Sequence, residues 1–186
     1  MDIRNYVKEH IDKKFDGELP FTTFRKSLDK DEIITDIGNH ESKVYFLQKG
    51  IVKVEIESAE GIKILDFFFE NSFFASYTSL LNRKPSDVRI KTSTKCELEY
   101  IEYADLLDAY DTTLLANKLG RYETEKLYLR RVQREKQLLT QKAQENYMAL
   151  LRTNPNVIQQ IPVKEIARFL GITPESLSRI RKRIIS

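Results

Sequence analysis

The chain holds a single cysteine, Cys96, in 186 residues, which excludes an internal disulfide framework and any multi-cysteine zinc or iron–sulfur site. Its two histidines, His10 and His40, leave no histidine-rich metal centre and no pattern suited to a haem sensor. Long hydrophobic runs are also missing. The longest uncharged stretch, Asn71 to Asn82, is too short to span a bilayer and contains several polar residues. Asp2, Arg4, Lys8 and Glu9 interrupt any apolar run at the start, so no signal peptide is expected. No nucleophile–base pairing, P-loop or metal-ligand spacing is present, so neither an enzyme nor a bound metal or cofactor is expected. With 41% hydrophobic and 32% charged residues, the composition is that of a globular chain long enough for one or two domains. The expectation is a cytoplasmic protein with no membrane partner.

The formal net charge of +3 is small only because two unlike halves cancel. Residues 1–120 carry 17 Lys+Arg against 22 Asp+Glu, a balance of −5. Residues 121–186 carry 14 against 6, a balance of +8. An acidic front and a basic back imply two modules with different partners, and a polyanion is the natural partner of the second.

Ile3, Val7, Ile11 and Phe15 recur at i+4 steps and predict a short amphipathic helix. Phe21, Phe24 and Leu28 follow with helix-like spacing. The period then changes. Val52, Val54 and Ile56 alternate with Lys53, Glu55 and Glu57, as in a half-buried strand, and Ser58 to Gly61 supplies a turn into a more apolar strand at Ile62 to Phe69. Val88 to Thr92 and Cys96 to Tyr100 alternate again, with Cys96 on the apolar face as a buried structural thiol. Several short strands separated by turns predict a small antiparallel barrel or sandwich. Between Leu106 and Arg152 there is one glycine and no proline, which reads as a long helix followed by a second one. Leu115, Leu119, Tyr122 and Leu129 form a seam-like stripe on the long helix, with Lys126 in the vacant position. Such a stripe serves either a dimer interface or packing onto the protein's own barrel.

The most informative segment runs from Pro162 to Arg183. Ile166 and Leu170 give a first helix its apolar face, and Ala167 keeps that face thin. Gly171 can take the positive φ of a tight turn, Thr173 can cap a second helix, Pro174 suits its first turn, and Glu175 favours the positive end of its dipole. Leu177 and Ile180 face back. This is the pattern of a helix-turn-helix. The other face of the second helix can enter a DNA major groove, with Arg179 donating twice to guanine and Glu175 accepting from cytosine. Thr173, Ser176, Ser178, Arg181 and Lys182 are the remaining DNA-contact candidates, chiefly for phosphates.

The order of modules resembles the Crp/Fnr family of bacterial transcription regulators. The resemblance is carried by Tyr45-Phe-Leu-Gln-Lys-Gly-Ile-Val-Lys53 and by Ile166-Ala-x-x-Leu-Gly-Ile-Thr-x-Glu-Ser-Leu-Ser-Arg-Ile180. It implies an α+β fold: an N-terminal antiparallel β-roll of cyclic-nucleotide-binding type, a long dimerisation helix and a C-terminal winged helix-turn-helix. The divisions expected are 1–105, 106–136 and 137–186. It also implies a homodimer on double-stranded DNA with a two-fold-symmetric operator, RNA polymerase as a protein partner, and Glu175 with Arg179 as the base-reading pair. Another base-contacting position of the family, often Arg, is Pro174 here.

The chain departs from the family in the roll. A cyclic-nucleotide phosphate needs a Gly-Glu pair and an Arg-Ser/Thr pair; Ala75-Ser76 and Ser86-Asp87 stand at those places, and neither Arg83 nor Arg89 is followed by Ser or Thr. An effector pocket, if built for another ligand, would draw on Phe74, Ser76, Tyr77, Ser86 and Asp87, with the effector unknown. Since the sequence ends three residues after Arg183, any wing is expected within Asn154 to Ile161. The expected function is a sequence-specific transcription regulator not responsive to cyclic AMP. The alternative is a ligand-sensing or protein-interaction module in which DNA binding is vestigial.

Overall fold

The computed structural model describes residues 1–155 and 157–185. A helix, α1 (Ile3–His10), is capped by Asp2, whose carboxylate accepts from the Asn5 N–H at 2.8 Å. Six strands follow: β1 (Phe24–Leu28), β2 (Ile33–Thr35), β3 (Lys43–Lys49), β4 (Val52–Ser58), β5 (Gly61–Phe68) and β6 (Ser72–Phe74). Next come α2 (Tyr77–Asn82), β7 (Val88–Thr92) and β8 (Cys96–Glu102). The rest is helical: α3 (Tyr103–Thr112), α4 (Leu114–Thr140), α5 (Ala143–Thr153), α6 (Val157–Gln160), α7 (Val163–Leu170) and α8 (Pro174–Ile185).

The strands form two antiparallel sheets in the orders β1-β8-β3-β6 and β2-β7-β4-β5. Their facing sides enclose Leu47, Val52, Phe74, Ile90, Cys96 and Leu98, an aromatic and aliphatic interior that holds the two sheets together as a roll. Cys96 is fully buried within it, and burial raises its thiol pKa. A second core lies outside the first sheet, where Ile3, Tyr6 and Val7 of α1 meet Phe46, Phe73, Leu106 and Leu119. A third joins the second sheet to the C-terminal helices through Ile51, Ile64, Phe67, Tyr147, Leu150, Ile166 and Leu177.

Several expectations change in three dimensions. Phe24–Leu28 is a strand, not a helix: its backbone pairs with β8, and Phe24 stacks on Tyr100 with ring centres 5.2 Å apart. Phe21 and Leu28 enter different cores, so their seven-residue spacing does not describe one helical face. The first helix stops at His10, while Ile11 and Phe15 still pack against its cluster from the following turns. Strand β4 is buried on both sides along its first half. Lys53 and Glu55, read as solvent-facing, are 3% and 7% exposed because α7 covers them.

The long helical region has an extra break at Thr113, whose hydroxyl accepts from the Ala116 N–H and opens α4. Gly120 sits where α3 crosses α4. A Cβ there would lie 2.6 Å from the Tyr110 hydroxyl, so glycine is what permits the crossing. No wing is found among the described residues: the segment expected to hold it contains α6, and Val157 and Ile161 are buried in the third core. Val157 and Ile161, four apart, suit one helical turn, and the six residues between Pro155 and Pro162 are too few for a hairpin.

Candidate nucleic-acid interface

Helix α7 ends at Gly171, which adopts φ 69° and ψ 30°, the left-handed cap that turns the chain toward α8. The Ile172 N–H returns to the Ala167 carbonyl at 3.0 Å and tightens that turn. The Thr173 hydroxyl accepts from the Ser176 N–H at 3.2 Å, capping α8. Ile166, Ala167, Leu170 and Leu177 are buried together, with Ile180 half-buried beside them, which sets the two helices in a helix-turn-helix. Glu175, Ser178, Arg179, Lys182 and Arg183 are exposed on the opposite side of α8.

The electrostatics of that face are mixed in sign. Hydrogen bonds from its own backbone N–H and from the Thr173 hydroxyl, with Arg179 nearby, hold the Glu175 carboxyl below the usual carboxylate range. Arg179 donates weakly to the Ser176 hydroxyl at 3.4 Å, which orients the guanidinium along the helix. Ser176 and Arg181 are half-buried and lie on the flanks. The predicted DNA-contact residues therefore share one surface, with Thr173 and Ser176 engaged at its edge in capping.

Of the predicted effector residues, Ser76 and Ser86 meet, while Phe74, Tyr77 and Asp87 lie in different surroundings. Phe74 is fully buried and packs on Tyr45 and Phe68. Ser76 and Ser86 hydrogen-bond to each other at 2.7 Å, both 2% exposed, and Ser86 also donates to the Val88 carbonyl. Asp87 is exposed and accepts from the Thr78 hydroxyl at 3.2 Å. Tyr77 faces a separate apolar cavity of about 230 Å³ between the first sheet, α3 and α4. Arg89 is held by Asp36 at 2.6 Å, and Arg83 is exposed. These residues do not fit a cyclic-nucleotide phosphate: the two hydroxyls bond to each other, Arg89 is engaged by Asp36, and Arg83 is exposed.

The proposed seam of α4 also divides. Leu119 is 4% exposed, and Leu115 and Tyr122 pack with it against the roll and α1. Lys126, on the same face, donates to the Tyr6 hydroxyl at 2.6 Å and lies 3.3 Å from Glu123, which itself accepts from Tyr6. The chain's own N-terminal helix thus covers this face. Of the four residues only Leu129 is exposed, at 67%, alongside Tyr128 at 68% and Leu139 at 79%.

Sequence reading missed a charged seam between roll and head. Lys53 Nζ lies 2.5 Å from Glu165 of α7 and 3.3 Å from Glu55. Arg134 of α4 donates to the Phe169 carbonyl and lies 3.9 Å over the Phe169 ring. No local pattern marks Lys53, but Asn146 does carry a signal: it is a polar residue within the Ala143–Tyr147–Leu150 apolar stripe of α5, and it is buried. Among the described residues no cluster of three or more His, Cys, Asp or Glu could hold a metal ion, and no helix is long and apolar enough to cross a membrane.

Residues 25–113 match the cyclic nucleotide-binding domain family. FixK2 from Bradyrhizobium japonicum has a similar structure, with a TM-score of 0.76 at 16% identity over 88% of this chain and 84% of that one. A protein from Eubacterium rectale assigned to the Crp/Fnr family of transcriptional regulators gives a TM-score of 0.68 at 16% identity, covering 98% and 84%. A cyclic nucleotide-binding domain containing protein from Listeria monocytogenes EGD-e gives 0.66 at 16% identity, covering 98% and 88%. No curated protein matches the chain by sequence. At these identities the likeness is one of fold.

Proposed function

With its front half in the cyclic nucleotide-binding domain family and the fold of Crp/Fnr regulators along its length, we propose that this chain is a homodimeric, sequence-specific regulator of transcription acting on double-stranded DNA. The observation that carries the reading is α8: Leu177 is fully buried while Glu175, Ser178, Arg179 and Lys182 are exposed on the far side. A helix anchored in this way offers its outer face to a major groove. Arg179 reads guanine through O6 and N7, and Glu175 accepts from cytosine N4. Ser178, Arg181 and Lys182 meet phosphates, with Thr173 and Ser176 at the edge.

Two such helices about 34 Å apart demand a two-fold-symmetric operator. The second copy meets α4 on its outer face, through Tyr128 and Leu129, since Leu115, Leu119 and Tyr122 are engaged within the chain. The roll (1–105), the dimerisation helix (106–136) and the reading head (137–186) divide the work, and RNA polymerase is the protein partner of the bound dimer. The regulator does not respond to cyclic AMP, because Ser76 and Ser86 close on each other where a phosphate would be held.

Selection of bound sequences from a random duplex library tests this reading. The expected result is a palindromic motif bound with an affinity that falls steeply with salt. Recovery of no motif, with weak and sequence-independent binding, rejects it in favour of a sensing or interaction module.

A further inference from the structure

A cleft of about 290 Å³ opens where β5, α4, α5 and α7 meet. Its charged lining is Arg130, Arg131 and Arg134 against the single carboxylate of Asp66, so the cleft is net positive. Asp66 is already shared by Arg130, at 2.6 Å, and Arg131, at 4.0 Å. No carboxylate among the described residues forms an ion pair with Arg134, and its Nε is buried with no hydrogen-bond partner. Burial weakens its hold on its proton, with Asp66 as the compensating charge.

A second orphan lies in the same lining. Asn146 is 6% exposed and its Oδ1 has no partner, while its amide makes only a long contact of 3.4 Å to the Gln137 carbonyl. Phe69, Leu150 and Phe169 supply apolar walls. A half-buried guanidinium whose Nε has no partner and which makes no ion pair of its own, beside a buried acceptor without a donor, is costly unless something fills the space between them.

We propose that this cleft binds a small organic acid, its carboxylate against Arg134, an N–H or O–H donating to Asn146 Oδ1, and its apolar part between Phe69, Leu150 and Phe169. The occupant touches the roll, the long helix and the reading head at once. It therefore fixes how the head sits on the roll and alters DNA affinity, a coupling that rests on the DNA-binding reading above.

The test uses N-acetylphenylalanine as probe, with its neutral methyl ester as control, on the full chain by titration calorimetry. Saturable millimolar or tighter binding of the acid is expected, with the ester at least about tenfold weaker. Arg134→Gln and Asn146→Leu should each weaken binding about tenfold, and Arg134→Lys should retain most of it. Thermal unfolding of each variant shows whether it still folds. Arg134→Met, which keeps an apolar stem but removes the guanidinium from the Phe169 ring and its half-buried charge with it, should hold Tm within about 2 °C, whereas a merely structural arginine would lower it by more.

Equal binding of acid and ester, no saturable binding by the intact chain, or undiminished binding by a folded Arg134→Gln would overturn the proposal. The operator recovered by selection then serves in a separate arm. If the probe binds but operator affinity stays unchanged, the coupling falls and the site stands. If no operator is found, the DNA-binding reading fails while the calorimetric result is unaffected.

Discussion

The roll and its junction with the head treat polar groups in opposite ways. Inside the roll, Ser76 and Ser86 meet at 2.7 Å as a neutral, self-satisfied pair where a cyclic-nucleotide-type fold would hold an anion. At the junction, the Lys53 side chain is 4% exposed between Glu55 and Glu165, and Arg134 lies against the Phe169 ring without a carboxylate of its own. Closed hydroxyls ask for no ligand. Buried charges at a boundary between two units make the relative position of those units sensitive to whatever neutralises them. On the function proposed above, control would sit at the seam beside α7 and α8 rather than in the interior of the roll.

The junction should be most sensitive at Lys53. Lys53→Met leaves Glu55 and Glu165 facing each other without a cation and should cost about 3–5 kcal/mol, read as a lowered urea midpoint. A loss below about 1 kcal/mol would mean that the seam behaves as an exposed ion pair.

The reading helix tests whether the head is more than a docked hairpin. Arg179→Ala should lose about 1–3 kcal/mol on the selected operator and relax preference at one base, whereas Lys182→Ala should weaken all duplexes alike and flatten the salt slope. Equal, sequence-independent losses from both would demote Arg179 to a phosphate contact.

The roll interior should respond more mildly. Ser76→Ala removes one partner of Ser86, which keeps its bond to the Val88 carbonyl, so about 1 kcal/mol is expected. Saturating cyclic AMP should leave Tm unchanged in the parent chain; an upward shift that grows with its concentration would reopen the pocket.

The smallest effect concerns Cys96. Burial raises its thiol pKa, so the folded state favours the protonated form. That contribution to stability is complete below the ordinary thiol value and is lost as pH rises through the raised one. A thiol reagent at mildly alkaline pH should therefore label Cys96 only as fast as the chain opens, and faster labelling would show an accessible roll interior.

The helix-turn-helix was legible because its signals are local. Gly171 takes the left-handed turn, Thr173 caps α8, and Ile166, Leu170 and Leu177 form the shared core, all within a few residues of one another. The roll was legible as alternating strands, and the absence of an Arg-Ser/Thr pair was visible in the sequence, although the mutual bond of Ser76 and Ser86 was not. Phe21, Phe24 and Leu28 misled because residues seven apart can belong to two cores as easily as to one helical face.

The amino-acid order by itself determined the module sequence, the charge division of −5 and +8, and helix α8 with its outward Glu175 and Arg179. Those follow from periodicity, capping and composition, which act over a few residues. Only the tertiary structure decided which faces were already occupied. It covered the Leu115–Leu119–Tyr122 face of α4 with α1 and the roll, buried Lys53 and Glu55 beneath α7, and left Arg134 Nε and Asn146 Oδ1 without a partner in one cleft. Each of these depends on contacts between residues far apart in the chain, and a one-dimensional pattern shows that a face is apolar or charged without showing what comes to rest on it.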